Sequence, residues 1–127
     1  MTGAPIILVG DYLLVPIQAE LHDIAAADLQ VEILSRIEET GADGLIIDIS
    51  SVQIVDSFLG RLLGETSKMA EVMGCKTVLV GMRKEVALTL IQLGMSIKDI
   101  QTALTFNDGL ELLQKLRDKK GKVWGSK

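Results

Sequence analysis

One cysteine, Cys75, is all that this 127-residue chain carries, which excludes an intrachain disulfide and any multi-cysteine metal site. Its place at the start of an apolar segment predicts core packing. Aromatic residues make up 3% of the chain, so its apolar material is mostly Ile, Leu and Val. That favours layered helices and strands over an aromatic-lined ligand cavity. The single histidine, His22 in AELHDIAA, lacks the nucleophile and orienting partner that a catalytic base needs, and it reads as a surface or loop residue. The chain has no GxxxxGKS/T phosphate loop, no GxGxxG after its first strand and no GxSxG nucleophile elbow. Its carboxylates are scattered over solvated helix faces, so no acid/base pair can be assigned. The expectation is a protein without catalytic residues, metal or cofactor.

Long apolar runs are also missing. The first segment, MTGAPIILVGD, has no basic start and is too short to span a membrane, which predicts a soluble, cytoplasmic protein. A chain of this length suits a single domain, and 48% hydrophobic content supplies its core. The net charge of −4 is unevenly spread: residues 1–114 carry a balance of −9 and residues 115–127 one of +5. An acidic body repels phosphate backbones and anionic membranes, so neither nucleic acid nor membrane is an expected partner. The basic end, KLRDKKGKVWGSK, is read as a helix C-terminus whose lysines favour the helix dipole, followed by a flexible tail at 121–127.

PIILVGDYLLVPI reads as two strands joined at a Gly10–Asp11 turn, with Pro16 near a strand end. From Asp23, a plausible N-cap, the period changes to helical. Ala27, Val31, Leu34 and Ile37 are expected on the buried side, and Gly41 closes the helix. GLIIDIS (44–50) is a strand. A second helix carries Leu59, Leu62, Leu63, Thr66, Met69, Ala70 and Met73 at i, i+3, i+4, i+7 spacing and stops at Gly74. KTVLVGM (76–82) is a strand; Val86, Ala87, Leu90 and Leu93 mark a third helix. TALTF (102–106) is a weak strand, and Asn107 is a candidate cap for a last helix with Leu110, Leu113 and Leu116. The order ββαβαβαβα means parallel strands with helical crossovers after an antiparallel hairpin. The fold class is α/β: one mixed sheet flanked by about four helices.

Asp48 closes an apolar strand at the edge where open α/β sheets place ligands, with Ser50 and Ser51 beside it. Two-component receiver domains use such an aspartate, together with an acidic pair after the first strand, a Ser/Thr after the fourth and a lysine after the fifth. Here the first strand runs into a hairpin, the fourth ends VGMRK and the fifth ends TFND, so the receiver reading fails.

The seam IVDSFLGRLLG (54–64) is the informative stretch. A serine at a helix start is most often a cap. Asp56 already serves that purpose, which leaves Ser57 as the first helical residue, pointing outward. At 100° per residue, Ser57, Arg61, Gly64 and Lys68 fall nearly on one line, with Gly60 close beside them. Gly60 and Gly64 each cost about 1 kcal/mol against alanine inside a helix. Close approach by another backbone, from a partner or within the domain, would offset that.

The stretch IIDISSVQIVDSFLGRLL (46–63) resembles the STAS-domain signature: an apolar strand ending in aspartate, a short loop, then Asp–Ser opening a helix. The order of hairpin, helices and strands is similar as well, which would make residues 1–120 the STAS domain. The form DSFLGRLL looks more like the short stressosome antagonists of the RsbS type than the simple anti-sigma-factor antagonists. The resemblance implies a non-enzymatic scaffold and antagonist in stress-responsive sigma-factor regulation. It implies a homo-oligomer or a large hetero-oligomer with paralogous STAS subunits, and partner switching with a serine/threonine kinase. It matches Ser57 to the serine that such a kinase phosphorylates, with Asp56, Phe58, Gly60, Arg61 and Gly64 as its partner-binding surroundings. Two alternatives stay open: a simple anti-sigma-factor antagonist, or a small ligand- or nucleotide-binding α/β protein using the crevice near Asp48 and Ser50.

Overall fold

The computed structural model describes the backbone of residues 5–18, 23–94 and 100–125. Its elements are β1 (Ile7–Val9), β2 (Tyr12–Pro16), α1 (Asp23–Thr40), β3 (Gly44–Asp48), α2 (Ser57–Val72), β4 (Lys76–Val80), α3 (Lys84–Gln92), β5 (Gln101–Ala103) and α4 (Phe106–Gly125). They form the expected α/β arrangement. One five-stranded sheet runs β1-β2-β3-β4-β5, with β1 antiparallel to β2 and every later pair parallel. The hairpin turns on Gly10, whose φ of 61° is the positive value that a two-residue turn demands. Pro16 is the last residue of β2, where its missing N–H costs little.

Side chains alternate across the sheet, so β2, β3 and β4 each feed two cores. Leu13, Val15, Leu45, Ile47 and Leu79 join α1, α2 and α3 on one face. Tyr12, Ile46, Val78 and Val80 meet Leu113 of α4 on the other. β3 is buried on both sides, with Leu45, Ile46 and Ile47 at most 1% exposed, and each such side chain contributes about 1.5–3 kcal/mol by burial. Arg117 ties α4 to the opposite end of the sheet, donating to Asp11 Oδ2 at 2.8 Å and meeting Asp43 Oδ2 at 3.2 Å. Cys75 is fully buried just before β4. Burial foremost, then the nearby Asp43 charge, pushes its thiol up to about 12.

Several expectations need correction. The buried side of α1 is Ala26, Leu29, Ile33 and Ile37; Ala27 and Val31 face outward and Leu34 is half-buried. Met69 and Met73 are 45% and 42% exposed rather than in the core. Gly60 is buried and so leaves the outward strip, because α2 turns its Gly60, Leu63, Ser67 and Ala70 side inward. The last helix is capped by Thr105, whose Oγ1 accepts from Asp108 N at 3.1 Å; Asn107 already lies inside it. β5 spans only Gln101–Ala103, and Phe106 belongs to α4. Helical backbone continues to Gly125, into the segment expected as a tail, since one glycine at position 121 costs a helix only about 1 kcal/mol. His22 lies outside the described residues, and α1 begins at Asp23 itself.

Candidate functional site

The parallel strands end on one edge of the sheet, and the chain segment 49–56 crosses that edge from β3 to α2. Its path is fixed at several points. Ile49 N donates to Val80 O at 3.0 Å, and Val52 N to Ile49 O at 3.0 Å. Val52 and Val55 are 1% and 3% exposed, so two apolar anchors hold the segment down while Ile54 between them is 84% exposed. Asp48 Oδ1 accepts from Ser50 N at 2.9 Å, which folds the first turn. Arg83 Nε donates to Ser50 O at 3.0 Å from the β4–α3 connection.

Gly81 completes this brace. Its φ is +74°, and a Cβ there would lie 2.8 Å from Ser50 Cβ and 3.1 Å from Asp48 Oδ1. Only glycine lets β4 end that close to the 49–56 segment. Gly81 N also donates to Leu104 O at 3.2 Å, which brings the 81%-exposed Leu104 to the same edge. Asp48 and Ser50 thus take part in holding the loop, while Ser51 is exposed on it. Sequence reasoning missed Arg83, Gly81, Ile54 and Leu104. Only the glycine directly after a strand offered a local signal.

The segment delivers Asp56 with φ −98° and ψ 176°, the extended backbone of an N-cap. Its Oδ1 accepts from Leu59 N at 2.9 Å, and its carbonyl accepts from Gly60 N at 3.0 Å. Ser57 follows as the first helical residue and is exposed. Its hydroxyl makes no hydrogen bond among the described residues. Helix N-termini stabilise negative charge, and α2 has no acidic residue within its first turn. Along the same side lie exposed Arg61 and Lys68 and half-buried Gly64; Phe58 is half-buried on the other flank. A Cβ on Gly64 would meet nothing within 4 Å. Among the described residues no neighbour explains that glycine. Among the described residues no three His, Cys, Asp or Glu side chains gather to hold a metal ion.

The STAS-domain profile matches residues 6–109. This chain is a STAS-domain protein. A serine-to-glutamate variant of RsbS from Moorella thermoacetica is similar at 37% identity and a TM-score of 0.83, over 91% of this chain and 98% of that one. A chain of the structure described as "Molecular architecture of the stressosome, a signal integration and transduction hub" is similar at 40% identity and a TM-score of 0.80, over 89% and 98%. The RsbT co-antagonist protein RsbRA of Bacillus subtilis is 25% identical over 119 residues, covering 93% of this chain. The STAS protein spans only 43% of that relative's length. It is therefore a stressosome-type STAS protein related to RsbS and the RsbR co-antagonists, in a non-enzymatic antagonist and scaffold family.

Proposed function

We propose that this STAS protein is the phosphorylatable antagonist of a stressosome-type assembly. On this reading it joins RsbR-type paralogues in the cytoplasm and holds an RsbT-type serine kinase, which leaves when Ser57 is phosphorylated and starts a sigma-factor cascade. The observation that carries the reading is the position of Ser57: exposed, first in α2, and spared from capping by Asp56. The likeness to RsbS over nearly the whole of its chain supports it, as does the serine-to-glutamate replacement in one of those proteins, which is the usual imitation of a phosphoserine. No helix among the described residues is long and apolar enough to cross a membrane.

The physics suits a switch. A phosphoserine brings about −1.5 to −2 charges, and a helix N-terminus tolerates them without unfolding. The kinase docks over the strip of Ser57, Arg61 and Gly64, with Asp56, Phe58 and Gly60 as its framework. Phosphate at the edge of that partly dehydrated contact adds repulsion and desolvation cost. A difference of about 2.8 kcal/mol, a factor of 100 in affinity, turns a bound kinase into a largely free one.

Two measurements test the reading. Ser57→Ala abolishes labelling by the cognate kinase and ATP while the circular dichroism spectrum stays unchanged. Undiminished labelling moves the acceptor to Ser50, Ser51 or a threonine. Protein phosphorylated at Ser57, verified by intact mass, loses kinase affinity by about 100-fold in a titration; equal affinity refutes the release mechanism.

A further inference from the structure

Among the described residues, one lateral edge of the sheet is open. β1 is an edge strand, and Ile7, Leu8 and Val9 are 44%, 47% and 37% exposed. Its pairing with β2 decides which backbone groups point outward. A two-residue turn makes Val9 and Tyr12 a hydrogen-bonded pair, and alternation along an antiparallel ladder makes Ile7 and Leu14 the next. Leu8 sits between them, opposite Leu13, so its N–H and C=O aim away from β2. Neither has a partner among the described residues. One residue earlier, the Ile6 carbonyl accepts from Arg36 Nη1 at 3.4 Å.

Exposed edges are commonly guarded by a charge, a proline or a bulge. IILVG (6–10) has no charge and no proline, and the register from Ile7 to Val9 is continuous. Among the described residues its guards are its shortness and Pro5, two residues before it. We propose that β1 is an interface between two copies of this chain, paired antiparallel about a two-fold axis at Leu8 and joining the two sheets into one.

The self-pairing satisfies both outward groups at once, because each Leu8 N–H donates to the partner's Leu8 carbonyl. The side chains agree with it. Ile7 and Val9 share a sheet face with Leu14 and Tyr12, while Leu8 shares the opposite face with Leu13. Across the two-fold, Ile7 meets the partner's Val9 and Leu8 meets the partner's Leu8. Apolar and mostly β-branched residues face each other on the pleat, with no charge opposite a like charge. Exposed apolar residues on the helices lie among charges or apart from any strand edge. Val31, Met69 and Val72 of α1 and α2 have exposed Glu38 and Glu65 on the same helices, and Leu88 and Ile91 of α3 offer no free backbone groups. A second copy on α1 and α2 brings carboxylates together.

Three half-exposed residues bury far less than the roughly 800 Å² per partner of a standard interface, so the pairing is weak in dilute solution. It strengthens where other contacts hold copies close together. The inference rests on backbone geometry and stands apart from the kinase reading.

Cross-linking tests the register. In this pairing residue 7 and the partner's residue 9 form a non-hydrogen-bonded pair with Cα atoms about 4.5 Å apart, within disulfide reach. The double variant Ile7→Cys/Val9→Cys forms a disulfide-linked dimer on mild oxidation, and buried Cys75 stays out of it. Ile7→Cys alone does not, because the two-fold leaves its Cα atoms about 8 Å apart. In sedimentation equilibrium from micromolar to millimolar concentration, the natural chain gains mass and Leu8→Lys remains a monomer with unchanged circular dichroism. A natural chain that stays monomeric while the double variant fails to cross-link overturns the proposal. So does dimerisation of Leu8→Lys at natural strength, or cross-linking of Ile7→Cys alone as readily as the double variant.

Discussion

Gly64 separates what the domain needs from what a partner needs. It lies inside α2 with ordinary helical backbone, and an added Cβ meets nothing within 4 Å. Alanine there removes the entropic penalty of glycine in a helix and strikes no neighbour, so Gly64→Ala stabilises the domain by about 0.8–1 kcal/mol. For a chain of this size, that raises the melting temperature by roughly 3–5 °C. Gly109 is the control. It is also helical, but its Cβ would fall 2.8 Å from Val80 Cγ1, in the core between α4 and the sheet. Gly109→Ala lowers the melting temperature. Calorimetry of the two variants gives the sign of each effect. Kinase binding, followed by titration at fixed temperature, gives the second half. If the strip beside Ser57 exists for close approach by another backbone, Gly64→Ala weakens binding while strengthening the fold. A Gly64→Ala protein that is less stable than the natural one refutes the geometric reasoning. One that is more stable and binds as well as before refutes the link between this glycine and the partner.

Other perturbations reach the same edge by different routes. Asp56→Ala removes the N-cap of α2 and lowers unfolding free energy by about 0.5–2 kcal/mol in urea titrations, while Asp56→Asn retains most of it. Gly81→Ala forces a side chain into positive φ and against Ser50, costing about 2–4 kcal/mol; it also slows Ser57 labelling, because the 49–56 segment must shift. Buried Cys75 holds its proton to about pH 12, whereas the unfolded chain releases it near pH 9. Its contribution to stability is therefore full below about pH 9 and is lost as pH rises towards 12. The melting temperature accordingly falls more steeply above pH 9 in the natural chain than in Cys75→Ala, and Ellman's reagent reacts only after unfolding.

Local chemistry made much of the fold legible. Gly10 between two apolar runs announced the hairpin, and Gly41 and Gly74, both with positive φ, ended their helices where expected. The Asp–Ser seam could be assigned for the same reason: a cap and the residue after it are neighbours in sequence. What failed was the choice between faces. α1 carries one apolar stripe at Ala26, Leu29, Ile33 and Ile37 and another at Ile24, Ala27, Val31 and Leu34. Periodicity counts both alike, and only packing against the sheet selects the first. The same ambiguity put Met69 and Met73 in the core and Gly60 outside. The brace between Gly81, Ser50 and Arg83 was illegible for another reason. It joins residues some thirty positions apart, and nothing local in either segment requires the other.

The geometry keeps the two proposed surfaces apart. Ser57 sits beyond the carboxyl ends of the parallel strands, on a segment whose anchors, Val52 and Val55, lie in the core. The open backbone of β1 lies along the side of the sheet, separated from β3 by β2. Charge added at Ser57 is thus met by the N-terminus of α2 and by solvent, with no strand hydrogen bond in its path. Pairing through β1 uses backbone groups that carry no charge and titrate with nothing. A phosphate that drives one partner off the α2 strip therefore leaves the sheet-to-sheet contact intact. That is the property required of a scaffold that must stay assembled while it releases what it holds. Measured together, the two should be independent: Ser57→Asp lowers kinase affinity without changing the sedimentation of the natural chain, and Leu8→Lys abolishes self-association without changing Ser57 labelling. Coupling between these two readouts would mean that α2 and β1 share a conformational change, which the rigid β2–β3 pairing between them opposes.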